Sequence, residues 1–275
     1  MIPKTIEELS GIAQIVRRNS IEAIYRAGSG HPGSCLSCAD ILTALYFGGG
    51  LNYDHRDAKW ERRDRFILSN GHAAPVWYAT LTEAGFFDVR ELLSLRDLGS
   101  ELQGHPDKVM ANFVETTTGS LGQGLSVGVG IALGLRQKGL AAKIKTVVLS
   151  SDGEQNEGSH WEAVMLAGQE KVANLSLIID QNGMQIGGDT ETVLELSPLE
   201  DKYRSFGWEV FTAGGHDFSS LLSNFSRFVE GKKPKAVICK TIRGKGVSFM
   251  ENSKEYHAKT LTETEYQKAM EELTS

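Results

Sequence analysis

The sequence predicts an α/β protein in which a parallel sheet is covered by helices on both faces. Short runs rich in β-branched and aliphatic residues alternate with longer segments of helical periodicity, the pattern of repeated strand–helix–strand units. Thirty glycines and only six prolines, without a fixed period, indicate many tight turns and exclude a collagen-like or proline-rich chain. We expect residues 1–275 to form a single domain with extra helices at the N-terminus.

The first helix is predicted over residues 5–27, where apolar residues recur every three to four positions and Gly28 and Gly30 follow as a stop. The last helix is predicted to begin at Glu263, because Thr262 and Glu265 have the spacing of a capping box. Helical periodicity predicts the others at 39–47, 73–83, 121–137, 158–171, 199–206 and 218–229, with the last ending at 273.

The strands are predicted between these helices, at 65–68, 145–150, 175–180, 209–213 and 235–241. In parallel α/β sheets, ligands bind beyond the carboxyl ends of the strands. The residues that directly follow each predicted strand are therefore the ones most informative about function.

Composition excludes several function classes. A formal charge of −6 offers no uniform positive field for DNA or RNA, so we expect no nucleic-acid partner. The N-terminus has no signal-peptide pattern and no segment is apolar enough to span a bilayer, so we expect a cytoplasmic protein with no membrane association. Cys35 and Cys38 have redox-like spacing, but we interpret them as buried helix residues without a function.

Two strand ends carry oxygen ligands. Asp152 follows one predicted strand and Asn182 follows the next, so the two side chains are expected to lie side by side if the strands are neighbours. Hard oxygen ligands of this kind suit Mg²⁺, which usually completes its shell with water and phosphate oxygens. Asp-Gly and Asn-Gly are also ordinary turn dipeptides, and each taken alone is better explained in that way than as a ligand.

The motifs together resemble those of transketolases in order and spacing, over nearly the whole chain. They are GHPG at 30–33, SNGH at 69–72, GHP at 104–106, TTGSLGQG at 117–124, DGEQNEG at 152–158, and His257. The resemblance implies the thiamine diphosphate-binding fold and a magnesium-bound thiamine diphosphate cofactor. It covers only the diphosphate-binding domain of the family, so we expect the N-terminal subunit of a split transketolase.

The resemblance also implies roles for individual residues. Asp152, Asn182 and the carbonyl of Met184 match the metal ligands, and we expect Asp152 to be solvent-accessible. The cofactor-binding positions are His72, Gly119, Leu121, Gly153, Glu157, Asn182 and His257, with Glu157 also at the subunit contact. The positions near the reacting carbon are His31, His105 and His257.

The implied activity is transfer of a two-carbon ketol unit from a ketose phosphate to an aldose, as in pentose phosphate metabolism. The glutamate that activates the cofactor belongs to the pyrimidine-binding domain, which the resemblance does not cover. A C-terminal partner subunit is therefore expected, in a heterotetramer of two copies of each chain. The alternatives are the equivalent half of a deoxyxylulose-phosphate synthase, a dehydrogenase alpha subunit, or a diverged binding subunit without turnover.

The sequence departs from the family pattern at two positions. Ser151 stands where the metal-binding motif usually has glycine, and Ser120 stands where the glycine-rich loop usually has proline. Serine is expected to be tolerated at both positions if the backbone φ angles are negative.

Overall fold

A parallel sheet stands at the centre of the fold, as the strand pattern predicts. The structure is a computed structural model that describes residues 3–274, so Met1, Ile2 and Ser275 of the predicted 1–275 domain lie outside the described residues. Its strands are β1 (Arg65–Leu68), β2 (Thr146–Ser151), β3 (Leu175–Gln181), β4 (Met184–Gln185), β5 (Gly188–Asp189), β6 (Glu209–Gly214) and β7 (Lys235–Lys240). The five long strands lie in the order β1–β2–β3–β7–β6, and β4 and β5 form a small antiparallel hairpin.

The helices lie between the strands in the chain. They are α1 (Ile6–Arg26), α2 (Pro32–Phe47), α3 (Ala74–Glu83), α4 (Val89–Leu92), α5 (Gln123–Gln137), α6 (Gly158–Gln169), α7 (Thr190–Val193), α8 (Leu199–Ser205), α9 (Phe218–Phe225) and α10 (Glu263–Glu272). Both α1 and α10 begin with a complete capping box, at Thr5 and Thr262 respectively. The predicted capping box of the last helix is therefore confirmed.

Alternate residues of the sheet point into two separate hydrophobic cores. Val147, Leu149 and Val237 pack against α1, α2, α3 and α9 on one face. Val148 and Ile238, one position along the same strands, pack against α5, α6 and α8 on the other face. The prediction of a parallel sheet covered on both faces is confirmed, because only a sheet buried on both sides has two apolar cores.

The structure corrects the predicted start of the second helix. The sequence predicts a helix over 39–47, whereas α2 begins at Pro32 and is buried along its whole length. A helix that is buried all round shows no amphipathic period, and Gly33 and Ser34 lower its intrinsic helix propensity. Pro32 occupies the first helical turn, where its missing N–H costs nothing.

Smaller differences occur at other element ends. The predicted helix over 218–229 divides into α9 and a 3₁₀ turn at Ser226–Val229. Neither the short helices α4 and α7 nor the β4–β5 hairpin was predicted, because segments of two to four residues have no resolvable period.

The two ends of the described chain meet on one side of the sheet. Helix α10 packs on α1, where the rings of Tyr25 and Tyr266 stack with centroids 4.2 Å apart. The segment between β7 and α10 crosses the N-terminus of α2, since the amide of Gly244 donates to the carbonyl of Gly33 at 3.0 Å. This crossing brings the C-terminal residues to the carboxyl edge of the sheet.

Candidate active site

The predicted juxtaposition of Asp152 and Asn182 is confirmed. Strands β2 and β3 are parallel neighbours in which Ser151 lies opposite Asp180, so both strands end at the same edge. The amide of Gly183 donates to Oδ2 of Asp152 at 2.6 Å, and the amide of Met184 donates to Oδ1 of Asn182 at 3.1 Å. Asn182 and Met184 therefore lie at one turn after β3, and Asp152, at the end of β2, is hydrogen-bonded to that turn.

A cavity of about 330 Å³ opens above this turn. Ten of the eleven predicted site residues line it: His31, His72, His105, Gly119, Leu121, Gly153, Glu157, Asn182, Met184 and His257. Asp152 is the exception and lies beneath the floor, with only 1% of its surface exposed. The expectation that Asp152 is solvent-accessible is wrong, because the turn between β3 and β4 packs against it and the amide of Gly183 in that turn donates to its carboxylate.

Four histidines cluster on one wall of the cavity, with His31 at the centre. Its ring centroid lies 5.1 Å from that of His72, 5.3 Å from that of His257 and 6.2 Å from that of His105. The four come from the N-terminus of α2, the end of β1, the loop before α5 and the C-terminal segment. Residues far apart in the chain are thus brought within reach of a single small ligand.

All four histidines are held in their neutral form. Burial, followed by the neighbouring histidines and arginines, lowers the pKa of His31 to about 4. Burial and then Arg243 lower the pKa of His257 to about 4, and burial also lowers the pKa values of His72 and His105. A neutral imidazole has one donor and one acceptor nitrogen, so each histidine can hold or transfer a proton at pH 7.

Arg243 is a buried cation at the inner end of the cavity. One of its terminal nitrogens donates to Nδ1 of His257 and lies 3.5 Å from the hydroxyl of Ser34. Because a guanidinium only donates, Nδ1 of His257 accepts and the ring proton of His257 is on Nε2. The arrangement offers an anion both a fixed positive charge and the Nε2–H of a neutral histidine.

The carboxyl group of Asp152 is electrostatically strained without a cation. Burial, and then the charge of Asp180, raise its pKa to about 7, although the amides of Gly183 and Gly153 and the charge of Arg243 act in the opposite direction. Asp180, near the end of the neighbouring strand β3, accepts a hydrogen bond from Nδ2 of Asn182 at 3.0 Å. A divalent cation beside Asp152 would offset this excess of negative charge.

The residues present fit a magnesium-bound diphosphate. Four cavity-lining side chains each carry a buried polar atom without a hydrogen-bond partner among residues 3–274: His31 Nδ1, Asn156 Oδ1, Gln185 Nε2 and Arg243 Nε. A Cβ at Gly153 would lie 3.0 Å from the side chain of Gln185, so only glycine keeps the backbone open there. No group of three or more His, Cys, Asp and Glu metal ligands occurs in the described part of the chain. The predicted set of metal ligands does not need such a group, because it combines a carboxylate, an amide and a backbone carbonyl.

The glycine-rich loop before α5 is fixed by close backbone packing. Gly119 has a φ of +123°, and a Cβ there would lie 2.7 Å from the ring of His105. The side chain of Glu154, fully buried, accepts from the amide of Gly122 at 2.8 Å and from the hydroxyl of Ser150 at 2.7 Å. Glu154 thereby holds the loop against the end of β2.

The two departures from the family pattern are accommodated. The non-glycine residues with positive φ among the described residues are Arg96, Lys171 and Asn252, so neither Ser120 nor Ser151 requires the left-handed conformation. Ser151 is the last residue of β2, with an ordinary extended backbone. The structure therefore confirms that serine is tolerated at both positions.

The site contains side chains that sequence reasoning missed. They are Ser34, Glu154, Asn156, Gln185, Ile186 and Arg243. Arg243 could have been found, because it follows the predicted strand that ends near residue 241, and the strand-end rule applies to every parallel strand. Glu154 could not be identified as buried, since an acid in a run of polar residues normally faces solvent.

The remaining predictions outside the cavity concern single residues. Cys35 and Cys38 are both buried in α2 as free thiols, which confirms the interpretation as packed helix residues. Glu157 is exposed and lines the cavity. Among residues 3–274, the helices are all too short or too polar to cross a bilayer.

Comparison with known proteins gives consistent matches along the whole chain. The family described as transketolase, thiamine diphosphate binding domain, matches residues 9–274. An apulose-4-phosphate transketolase subunit of Phocaeicola vulgatus is 39% identical over 270 residues, 98% of this chain and 95% of that protein. The 6-deoxy-6-sulfo-D-fructose transketolase subunit SqwG of Clostridium sp. is 39% identical over 97% of this chain and 96% of that protein.

Solved structures show the same fold. Transketolase from Campylobacter jejuni superposes with a TM-score of 0.92 at 32% identity, covering 98% of this chain and 43% of that one. The chain also matches human transketolase at 36% identity, over 42% of the length of the human protein. It thus spans less than half of these longer relatives and nearly all of the two subunits.

Proposed function

Because the chain belongs to the transketolase family and corresponds to its thiamine diphosphate-binding domain, we propose that it is the N-terminal subunit of a split transketolase. The activity proposed is transfer of a two-carbon ketol unit from a ketose phosphate to an aldose. The observation that carries the proposal is that one cavity brings these groups together. Four neutral histidines and the buried Arg243 line the same cavity as the turn of Asn182 and Met184, beneath which Asp152 lies.

The cofactor, when bound, supplies a nucleophilic carbon and stabilises the negative charge left by carbon–carbon bond cleavage. The oxygen ligands of Asp152, Asn182 and Met184 would hold Mg²⁺, and Arg243 and Gly153 would hold the diphosphate. Gly119 and Leu121 line the wall against which the organic part of the cofactor would lie.

The histidines of this chain would handle protons at the substrate. Nε2–H of His257 is free to donate to a carbonyl oxygen, because Arg243 occupies its Nδ1. His31 has a buried Nδ1 without a hydrogen-bond partner in the described residues, so it can accept or donate according to its tautomer. His105 lies beside Gly119 at the outer wall and would stabilise the oxygen of the acceptor aldehyde.

A second chain must complete the site. The cavity is partly open to solvent, whereas small-molecule sites usually bury about 70 to 90% of their ligand. The two bacterial relatives of nearly equal length are named as transketolase subunits, which supports a C-terminal partner that supplies the pyrimidine-binding domain and its activating glutamate. We propose a heterotetramer of two copies of each chain.

The substrate proposed is an acidic ketose. The names of the two relatives specify a sugar phosphate and a sulfonated sugar, so acidic sugars are common to both. The deoxyxylulose-phosphate synthase and dehydrogenase alternatives receive no support from these relatives.

The test mixes this chain with its C-terminal partner, Mg²⁺ and thiamine diphosphate, and measures aldehyde release from a ketose phosphate. Turnover is expected only in the mixture. If this chain alone turned over as fast as the mixture, the split-enzyme proposal would be wrong. A mixture that binds cofactor in a magnesium-dependent manner without releasing aldehyde would favour a diverged binding subunit.

A further inference from the structure

Two buried side chains, Arg17 and Asp40, and the partly buried His216 form a series of hydrogen bonds outside the cavity that ends on the loop carrying Arg243. Arg17 of α1 makes a bidentate pair with Asp40 of α2, at 3.0 and 2.6 Å. Asp40 accepts from Nδ1 of His216 at 2.7 Å, and Nε2 of His216 accepts from the amide of Ile242 at 2.8 Å. None of the three side chains lines the cavity.

The direction of each hydrogen bond in this network is fixed by the chemistry of its donors and acceptors. The amide of Ile242 can only donate, so Nε2 of His216 carries a lone pair and the ring proton is on Nδ1. That proton is donated to Asp40, whose carboxylate is neutralised by Arg17. Burial alone would raise the pKa of Asp40, but the hydrogen bond from His216 and the charge of Arg17 hold it below its ordinary value.

The same network contacts both ends of the loop at 241–246. His216 accepts a hydrogen bond from Ile242 at its start, and Arg17 lies beside Gly246 at its end, where an added Cβ would lie 3.5 Å from the Arg17 side chain. Arg243 lies between these contacts and fills the space beside Gly33, where an added Cβ would lie 2.9 Å from Nε of Arg243. A shift of the loop would therefore move Arg243 out of this space and away from His257.

We propose that His216, supported by Asp40 and Arg17, is a positioning residue that holds the 241–246 loop so that Arg243 faces the cavity. The inference rests on the proposed function only for what Arg243 binds, not for how it is held. Because the orientation of Arg243 fixes the tautomer of His257, the network also sets which nitrogen of His257 can donate.

Two variants of His216 separate the positioning bond from the rest of the network. His216→Gln places an amide oxygen near the position of Nε2 and can still accept from Ile242. His216→Asn places its amide near Nδ1, where it can donate to Asp40 but cannot reach Ile242. Asp64→Asn serves as a control, because Asp64 pairs with Lys145 at 2.6 Å in a buried site at the opposite edge of the sheet.

Two measurements are made on the full chain. Amide hydrogen exchange of residues 241–246 is recorded without cofactor, and thiamine diphosphate affinity is titrated with Mg²⁺ in the presence of the partner. His216→Asn is expected to raise the exchange rate and weaken cofactor binding about five- to tenfold, the value of one hydrogen bond. His216→Gln is expected to stay within about threefold of wild type in both, and Asp64→Asn to lower the melting temperature without changing either.

The inference is overturned if His216→Asn leaves the exchange of 241–246 unchanged. It is also overturned if all three variants lose cofactor affinity in proportion to their loss of melting temperature, which would indicate a general effect on stability. If the wild-type assembly bound no thiamine diphosphate, the proposed function would fail, whereas the exchange measurement would still decide whether His216 holds the loop.

Discussion

At the scale of single residues, Asp152 combines a structural contact with its proposed role as a metal ligand. Its two carboxylate oxygens accept from the amides of Gly153 and Gly183, at 2.8 and 2.6 Å. Removing the charge and removing the acceptors should therefore have different consequences. Asn keeps one acceptor oxygen and relieves the repulsion from Asp180, whereas Ala leaves two amides unpaired.

We expect Asp152→Asn to abolish magnesium-dependent thiamine diphosphate binding while changing the unfolding free energy by less than about 1 kcal/mol. Asp152→Ala should also lower the unfolding free energy, by about 1 to 3 kcal/mol, because buried amides lose their partners. Calorimetric titration and urea unfolding measure the two effects. Wild-type cofactor affinity of Asp152→Asn at limiting magnesium would remove this residue from the metal site.

The histidines are expected to divide into two functional groups. His105 lies at the outer wall, so His105→Ala should reduce turnover about 100-fold or more with little change in cofactor affinity. His72 lies deeper, 3.2 Å from the hydroxyl of Ser34, so His72→Ala should mainly weaken cofactor binding. Steady-state kinetics and cofactor titration of both variants test the division. Small and equal effects in both would indicate that the two residues only support the fold.

The lowered pKa values of the histidines predict loss of stability in acid. The pKa of His31 is about 4 in the folded chain and about 6.5 when unfolded, so between these pH values the unfolded chain binds more protons. The unfolding free energy should therefore fall as the pH falls through this window, by about 1.4 kcal/mol per pH unit for each such histidine.

His31→Asn should reduce the dependence of the unfolding free energy on pH by about the contribution of one histidine. Urea unfolding at pH 5 and pH 6 measures this dependence. Asp152, whose raised pKa acts in the opposite direction, is present in both proteins and cancels from the comparison. An unchanged slope would show that His31 is not held neutral by the fold.

At the scale of elements, helix α5 contains two glycines with opposite environments. A Cβ at Gly124 would lie 2.2 Å from the hydroxyl oxygen of Ser69, whereas nothing lies within 4 Å of a Cβ at Gly130. Ser69 donates to Glu154, which also holds the glycine-rich loop. Space on the helix is therefore restricted where α5 meets the site, and also at Gly128, where an added Cβ would lie 2.6 Å from the side chain of Val148 in β2, but it is open at Gly130.

We expect Gly124→Ala to destabilise the chain and to loosen the loop, since Ser69 must move. Gly130→Ala should instead stabilise it by about 1 kcal/mol, because alanine is the better helix former at an exposed position. Thermal unfolding of the two variants provides the comparison. If both changed the melting temperature in the same direction, the close packing of Gly124 against Ser69 would not be limiting.

The sheet and most helices could be predicted because their signal is local. The run at 146–151 is apolar on both faces, and the helix at 6–26 has a clear amphipathic period, so each is visible in a short window of sequence. The start of α2 could not be predicted, since a helix buried on all sides has no period. The Arg17–Asp40–His216 network was also beyond sequence reasoning, because three ordinary polar residues far apart in the chain give no sign that they will be hydrogen-bonded to one another.

At the scale of the whole molecule, an apolar surface adjoins the open side of the cavity. Leu194 is 58% exposed and lines a groove beside the cavity, with Asn156 lining both the groove and the cavity. Ile186, which lines the cavity, is 78% exposed. Apolar side chains clustered beside a site that lacks one wall are typical of a protein interface. The proposed C-terminal subunit is the partner expected to cover them.

Leu194→Glu should weaken assembly with the partner by about tenfold or more while leaving the unfolding free energy of the isolated chain unchanged. Leu98→Glu is the matched control, because Leu98 is fully exposed in a loop that does not line the groove. Analytical ultracentrifugation of mixed subunits measures the affinity. Equal effects of the two substitutions would place the interface elsewhere.

The contact of His31 with His257 has a consequence for the order of events during synthesis. The ribosome makes His31, at the N-terminus of α2, long before it makes the segment that carries Arg243 and His257. A nascent polypeptide therefore has β1, β2, β3 and the turn after β3 before it has a complete histidine wall. Productive capture of the vitamin-derived cofactor must wait until residues 243–257 have been translated, so a shorter nascent product could not be converted to holoenzyme.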